Sequence, residues 1–274
     1  MSYPDSAGLV SDSAVGLPRA VTAALAAGRV LVVVPAYNEE KSLGPTLQCI
    51  RRELPEARVV VVDDCSTDLS AKVARAEGAD VVELPCNLGY GGAVQTGFKY
   101  ALSHGFDFVV QMDADGQHNP RYAAALLDYV ARGEADVAIG SRFLGRANYN
   151  IPSLRRLGMA AFAYIVTFVT RRRSSDPTSG FQAMNAAVIR FFARDNYPSD
   201  FPDADTVILL VLTGFRVQEV PVVMEARTAG SSMHSNGKAL YYVAKMMLSI
   251  LIVLLRRRVL RIQAPVKPAL AGDH

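Results

Sequence analysis

The chain lacks an apolar run long enough to span a bilayer, since a crossing helix needs roughly 20 such residues. The two longest candidates, Leu157–Thr170 and Leu240–Leu255, have 14 and 16 residues, and Lys245 interrupts the second. They suit interfacial helices or buried core helices; the two readings are even for the first, and membrane contact is favoured for the second. Cysteine is scarce: Cys49, Cys65 and Cys86 are an odd, scattered set with no CxxC pair. That argues against a disulfide framework or a thiolate zinc site and fits a reducing compartment. No signal-peptide pattern is visible, because the first basic residue is Arg19 and Arg29 breaks the apolar stretch behind it. A cytoplasmic location is therefore expected. Net charge is only +3, too small to imply a nucleic-acid partner. The positive charge is clustered, however, at Arg155-Arg156, Arg171–Arg173 and Arg256–Arg258. Beside apolar runs, such clusters suit an anionic membrane surface; singly, each also suits a solvated helix end.

What the chain does have is a repeating pattern. Residues 1–28 are rich in Ser, Ala, Gly and Asp and read as a loose leader with a short helix near Arg19–Ala27. A continuous apolar run follows at Val30–Val34, and Arg58–Val62, Ala79–Leu84, Phe106–Met112 and Asp136–Gly140 read as further strands. Strands covered on both faces look like this. Between them Asn38–Leu54, Thr67–Glu77, Gly91–Ser103 and Pro120–Ala131 have helical spacing. The alternation predicts an α/β fold, a Rossmann-like and mainly parallel sheet with flanking helices. Arg216–Met224 reads as a further strand, and residues from 263 onward as a tail. The expected organisation is a leader (1–28), one large domain (29–235), a membrane-associated helix (236–262) and a flexible tail (263–274).

Ligands of such sheets bind at the carboxyl ends of the strands. That rim gathers Pro35–Glu39, Asp63–Asp68, Asn87–Gly92, Asp113–Gln117 and Ser141-Arg142. Asp113 and Asp115 stand two apart where the fourth strand ends, so in extended chain their side chains point the same way. Protonation, arginines or a metal would each offset their repulsion. A hard divalent cation, Mg²⁺ or Mn²⁺, takes oxygen ligands and keeps substrate phosphates in its shell. Gln117, beyond the turn at Gly116, can add a carbonyl oxygen. The plainer alternative is a strand-end turn in which an aspartate caps the next helix. The Asn87–Gly92 stretch offers backbone donors but is no Walker A loop, and it does not follow the first strand as a dinucleotide fingerprint would. His118 reads as structural rather than catalytic, and Asp68 or Thr67 as a helix cap.

Taken in order, "VVVPAYNEE", "VVDDCSTD", "NLGYGGAVQTGF", "DADGQH", "GSRF" and "DPTSGFQAMN" resemble the family-two glycosyltransferases of the GT-A fold. The resemblance covers about residues 29–235 and is nearest to the dolichyl- or polyprenyl-phosphate mannose and glucose synthase branch. It implies an inverting transfer from a GDP-, UDP- or dTDP-linked sugar, with a divalent metal, to a polyprenyl phosphate at the cytoplasmic membrane face. It implies donor contacts at Pro35, Tyr37, Glu39 and Asp64 or Asp63, and metal contacts at Asp113, Asp115 and Gln117. Arg142 and Arg227 match arginines near the transferred group and the phosphates. Arg155 or Arg156, with Ser232, matches the acceptor-phosphate side. Two positions depart from the pattern: Cys65 stands where glycine or serine is usual, and Met233 where lysine is frequent. An integral-membrane partner and self-association are both left open.

The acceptor question is a question about a base. A hydroxyl acceptor needs one, whereas a phosphate oxygen is already anionic. Asp205, with Asp203 nearby, lies where relatives that use hydroxyl acceptors carry a catalytic carboxylate. It also suits a cap of the helix Thr206–Leu212. Transfer to a glycan or protein hydroxyl is therefore the alternative reading.

Overall fold

The computed structural model describes residues 17–144, 153–194, 197–198, 202–225 and 238–260, with only the backbone of 153–155, 238–242 and 256–260. Its centre is β1 (Val30–Ala36), in which all seven residues are buried. Around it stand β2 (Arg58–Asp63), β3 (Asp80–Glu83), β4 (Phe108–Gln111), β5 (Val137–Ser141), β6 (Gln182–Asn185) and β7 (Val217–Pro221). The order across the sheet is β3-β2-β1-β4-β6-β5-β7. The pairs β1–β2, β1–β4, β2–β3 and β5–β7 are parallel. Only β6 runs against its neighbours, with Ala183 facing Val110 on β4 and Ala138 on β5. The sequence pattern does not predict β6. It is four residues long and half polar, and it ends at Asn185, whose side chain accepts the Ala187 and Val188 N–H groups to start the next helix.

Alternate β1 side chains feed two cores, as the period of a strand requires. Val30, Val32 and Val34 meet Leu43, Leu47 and Ile50 of α2 (Glu40–Glu53) and Leu126 and Leu127 of α5 (Ala123–Ala131). Leu31 and Val33 meet Val94 and Phe98 of α4 (Gly89–Ser103), with Ile189 and Phe192 of α7 (Ala186–Phe192) in the same core. Each such side chain contributes about 1.5–3 kcal/mol on burial. The α4–β1 approach is close enough to demand Gly97: a Cβ there would lie 2.2 Å from Val33 Cγ1. The short helix expected in the leader is α1 (Arg19–Ala26); it buries Val21, Ala24 and Leu25 against the domain, so this part of the stretch is folded rather than loose.

Three further helices extend the second core. α8 (Ala204–Leu212) is almost wholly buried and packs against both α6 (Ser153–Thr170) and α9 (Lys238–Leu260). α6 divides its apolar stretch: Met159, Phe162 and Val166 are buried, while Leu157, Tyr164 and Phe168 are 68–74 % exposed. α9 likewise buries Met246 and Ile250 and exposes Val243, Met247, Leu248, Leu251, Ile252 and Leu255. Among the described residues no helix is long and apolar enough to cross a membrane.

Candidate active site

The loops after β1 and β2 are stitched together. Asn38 donates its N–H to Ser66 Oγ (2.9 Å), and Asn38 Oδ1 accepts the Thr67 N–H (2.8 Å). Glu39 donates its N–H to Ser70 Oγ (2.8 Å), and its carboxylate accepts the Ser42 hydroxyl. Asp68 accepts from Glu40 N and from both Ser70 donors at the start of α3 (Ser70–Ala76), the capping role that its sequence position suggests. Tyr37 projects half-exposed from this frame. Cys65 adopts a φ of 63°, a left-handed backbone that favours glycine, one of the two residues usual there.

The two adjacent aspartates have different work. Asp64 is committed to the chain: its oxygens accept the N–H groups of Leu88 (2.7 Å) and Gly89 (2.9 Å). Burial pushes its carboxyl above the usual range, and those two N–H groups partly oppose this. Asp63 is equally buried, accepts only the Ser66 N–H on Oδ2 (3.2 Å), and has no partner for Oδ1 among the described residues. The orphaned oxygen of Asp63, rather than those of Asp64, has acceptor capacity left for a ligand.

At the end of β4, Asp113 is held from three sides. Tyr90 donates its hydroxyl to Asp113 Oδ1 (2.8 Å) and itself accepts from Gln111 Nε2 (3.0 Å). Burial, then the Asp113 charge, push the Tyr90 hydroxyl well above its ordinary range, so it remains a donor. The Asp113 N–H donates to His118 Nδ1 (3.0 Å), which puts the imidazole proton on Nε2, 3.6 Å from Asp113 Oδ2. His118 is buried and stacked on Phe181 at 5.1 Å, a supporting position. Asp115 is buried and accepts the Gln117 N–H (2.9 Å) around Gly116, whose φ is 78°. Gly180 closes the other side. A Cβ there would lie 2.7 Å from Tyr90 Oη and 3.5 and 3.6 Å from the Asp113 oxygens, so glycine keeps the space before this carboxylate clear. Among the described residues no group of three His, Cys, Asp or Glu could hold a metal by itself. Two carboxylates and an amide, all oxygen donors, instead suit a hard cation that completes its shell with substrate phosphates.

Arg142 follows β5 on the same rim and is 7 % exposed. Its Nε meets Asp176 Oδ2 at 2.6 Å, its own N–H meets the same oxygen at 3.1 Å, and Asp176 is fully buried. Burial raises the Asp176 carboxyl, the Arg142 charge pulls it back, and Glu219 pushes it up again. The resemblance gave no role to Asp176, Tyr90, Gly180 or Glu219. The signal for the first three was their presence inside the quoted motifs.

Asp205 is not open to an acceptor. It is fully buried, Oδ1 accepts the N–H groups of Asp203 (3.1 Å) and Thr206 (2.8 Å), and Oδ2 accepts the Ser249 hydroxyl. It caps the first turn of α8, the second of its two sequence readings, and ties that turn to α9. Arg156 is exposed on α6, and only the backbone of Arg155 is described. Arg227, Ser232 and Met233 lie outside the described residues.

A mainly parallel sheet, with one antiparallel strand beside the carboxylate pair and a polar rim from β2 to β5, is the Rossmann-like layout expected of the GT-A fold. Residues 31–197 match the family described as Glycosyl transferase family 2, and the chain belongs to that family. It is similar to the undecaprenyl-phosphate mannosyltransferase of Micrococcus luteus, with 34% identity across 76% of this chain and 88% of the relative. The polyprenol monophosphomannose synthase of Mycolicibacterium smegmatis is 32% identical across 79% and 86%. The crystal structure of glucosyl-3-phosphoglycerate synthase from Mycobacterium tuberculosis with Mn²⁺ and UDP-glucose superposes with a TM-score of 0.61 over 85% of this chain and 80% of that one. At 21% identity, that likeness speaks for the fold alone.

Proposed function

We propose that this glycosyltransferase moves a hexose from a nucleotide sugar to a polyprenyl phosphate, with inversion, at the cytoplasmic face of a membrane. The observation that carries the acceptor is the pair of relatives above, whose names specify polyprenyl-phosphate products or acceptors and whose lengths this chain nearly covers. The site supports the same reading, because Asp205, the base of the hydroxyl-acceptor alternative, is engaged by α8 and α9. A phosphate acceptor needs no base. Its anionic oxygen forms the new bond to the anomeric carbon while the bond from that carbon to the diphosphate oxygen breaks, and the electron pair leaves with the nucleoside diphosphate.

The rim order supports a lengthwise donor. Tyr37 and the free oxygen of Asp63 face the base and ribose at β1 and β2. Asp113, Asp115 and Gln117 at β4 would hold Mg²⁺ or Mn²⁺ at the diphosphate. Bound there, the cation supplies neutralisation of the charge that builds on the leaving group. Arg142 at β5 lies two strand spacings further on, about 10 Å, where the sugar would extend; Arg227 adds charge on the phosphate side.

Membrane contact has its own support. Residues 137–175 contain seven arginines, and residues 226–272 eight lysines or arginines, with no carboxylate in either stretch. These stretches contain α6 and α9, whose exposed apolar faces suit an anionic lipid surface. The test is transfer of labelled sugar to polyprenyl phosphate in anionic vesicles. Wild type forms product and Asp115→Asn, folded, does not; full activity of Asp115→Asn rejects the metal assignment.

A further inference from the structure

Glu219 lies outside every motif that the resemblance absorbed, yet its carboxylate collects donors from three consecutive residues. It sits on the edge strand β7, opposite Ile139 of β5. Its carboxylate accepts Ser174 Oγ (2.8 Å), the Ser175 N–H on both oxygens (2.8 and 2.9 Å), the Ser175 hydroxyl, and the Asp176 N–H (3.2 Å). Two consecutive backbone N–H groups converging on one anion form a small nest, so the turn is built around the carboxylate. Those N–H groups would otherwise need other partners.

The next side chain in that turn is Asp176, which holds Arg142 by its Nε and its N–H. Thr178 Oγ1 adds a bond to Asp176 Oδ1 at 3.3 Å, and Ser175 Oγ lies 2.7 Å from Ser141 Oγ, beside Arg142. Four residues beyond Asp176 comes Gly180, against Tyr90 and Asp113. One loop thus runs from a carboxylate anchor on β7, past the rim arginine, to the carboxylate at the end of β4.

We propose that Glu219 is a positioning residue for the sugar end of the donor: its carboxylate sets the Ser174–Asp176 turn, and through Asp176 it fixes Arg142. It rests on the donor orientation proposed above. It predicts a split that general loosening of the fold would not produce. Glu219→Gln keeps the volume but turns an NH₂ group or a single acceptor toward donors that now meet two oxygens. The intact nucleotide sugar reaches Arg142, whereas the bare nucleoside diphosphate does not.

The experiment is calorimetric binding of GDP-mannose against GDP, and of UDP-glucose against UDP, using the pair that raises the wild-type Tm more. For Glu219→Gln the intact donor weakens by about fivefold or more, the loss of one modest hydrogen bond, while the bare diphosphate stays within about twofold of wild type. Asp176→Asn gives the same split. The double variant is no worse than the worse single one, because both act through one path. Equal weakening of donor and diphosphate, an unchanged donor affinity, or losses that multiply in the double variant would each overturn the proposal. Should Glu219→Gln fail to fold, Ser175→Ala removes one donor to the same carboxylate. It must show the same split at smaller size, and its absence refutes the idea equally. No acceptor enters these measurements. Failure of the lipid-phosphate reading would appear separately, as a protein that binds donor normally and leaves polyprenyl phosphate unmodified.

Discussion

Replacing Tyr90 by phenylalanine removes one oxygen and leaves the ring in place. That oxygen donates to Asp113 Oδ1 at 2.8 Å and accepts from Gln111 Nε2 at 3.0 Å. A hydrogen bond to a charged acceptor is worth about 1.5–3 kcal/mol. Asp113 is 29 % exposed, so water replaces part of the loss and the low end applies. At 2–4 °C per kcal/mol for a domain of this size, Tm falls by about 3–6 °C. The larger effect is on the cation. Groups that orient a metal's ligands are worth about 10–100-fold in metal affinity. In a Tm titration with Mn²⁺ at a fixed concentration of nucleoside diphosphate, a wild type at 100 times its Kd gains about 2.7 kcal/mol. A tenfold weaker variant gains only about 1.4 kcal/mol at the same concentration. An Mn²⁺ midpoint identical in Tyr90→Phe and wild type would refute the claim that this hydroxyl orients a ligand carboxylate.

Other substitutions probe different links. Gly180→Ala drives a Cβ towards Tyr90 Oη and the Asp113 oxygens; Mn²⁺-dependent donor binding falls at least tenfold, with a stability cost of about 1–3 kcal/mol, and unchanged binding would mean the space is not needed. Gly97→Ala meets Val33 instead, in the core between α4 and β1; stability falls by about 1–3 kcal/mol, with donor affinity below Tm lowered less than in Gly180→Ala. Asp136 gives a pH signature. Burial alone would raise its carboxyl, but hydrogen bonds from Arg216 and Asn185 outweigh that and hold it below the usual range. A depressed acid stabilises the fold above its unfolded pKa of about 3.9 and loses that stabilisation as pH falls through the lower folded value. Denaturant unfolding of Asp136→Asn should therefore lose stability at pH 7 and converge on wild type at the acid end; parallel curves would contradict the sign.

How much of this could be read from residues alone depends on how local each cause is. β1 was legible because a strand covered on both faces is a continuous apolar run. β6 was not, because four residues between a loop and a helix carry too little pattern, and its direction is set by tertiary pairing with β4 and β5. Asp113 and Asp115 were legible through their spacing at a strand end. Tyr90, 23 residues away, and the Ser175–Glu219 contact, 44 residues apart, are brought in only by the fold. Asp63 and Asp64 are neighbours of the same type, so only the partners of their oxygens tell them apart. Asp205 was ambiguous for a similar reason: a cap and a base look alike until Ser249 appears opposite.

The central claim is that the acceptor oxygen is a phosphate's and needs no base. One competition measures it: equal amounts of a polyprenyl phosphate and the matching polyprenol, in the same vesicles, with labelled donor and Mn²⁺. The account predicts label in the phosphate-linked product alone, in wild type and in Asp205→Asn alike. Label in the polyprenol or in another hydroxyl acceptor, abolished by Asp205→Asn, would contradict it.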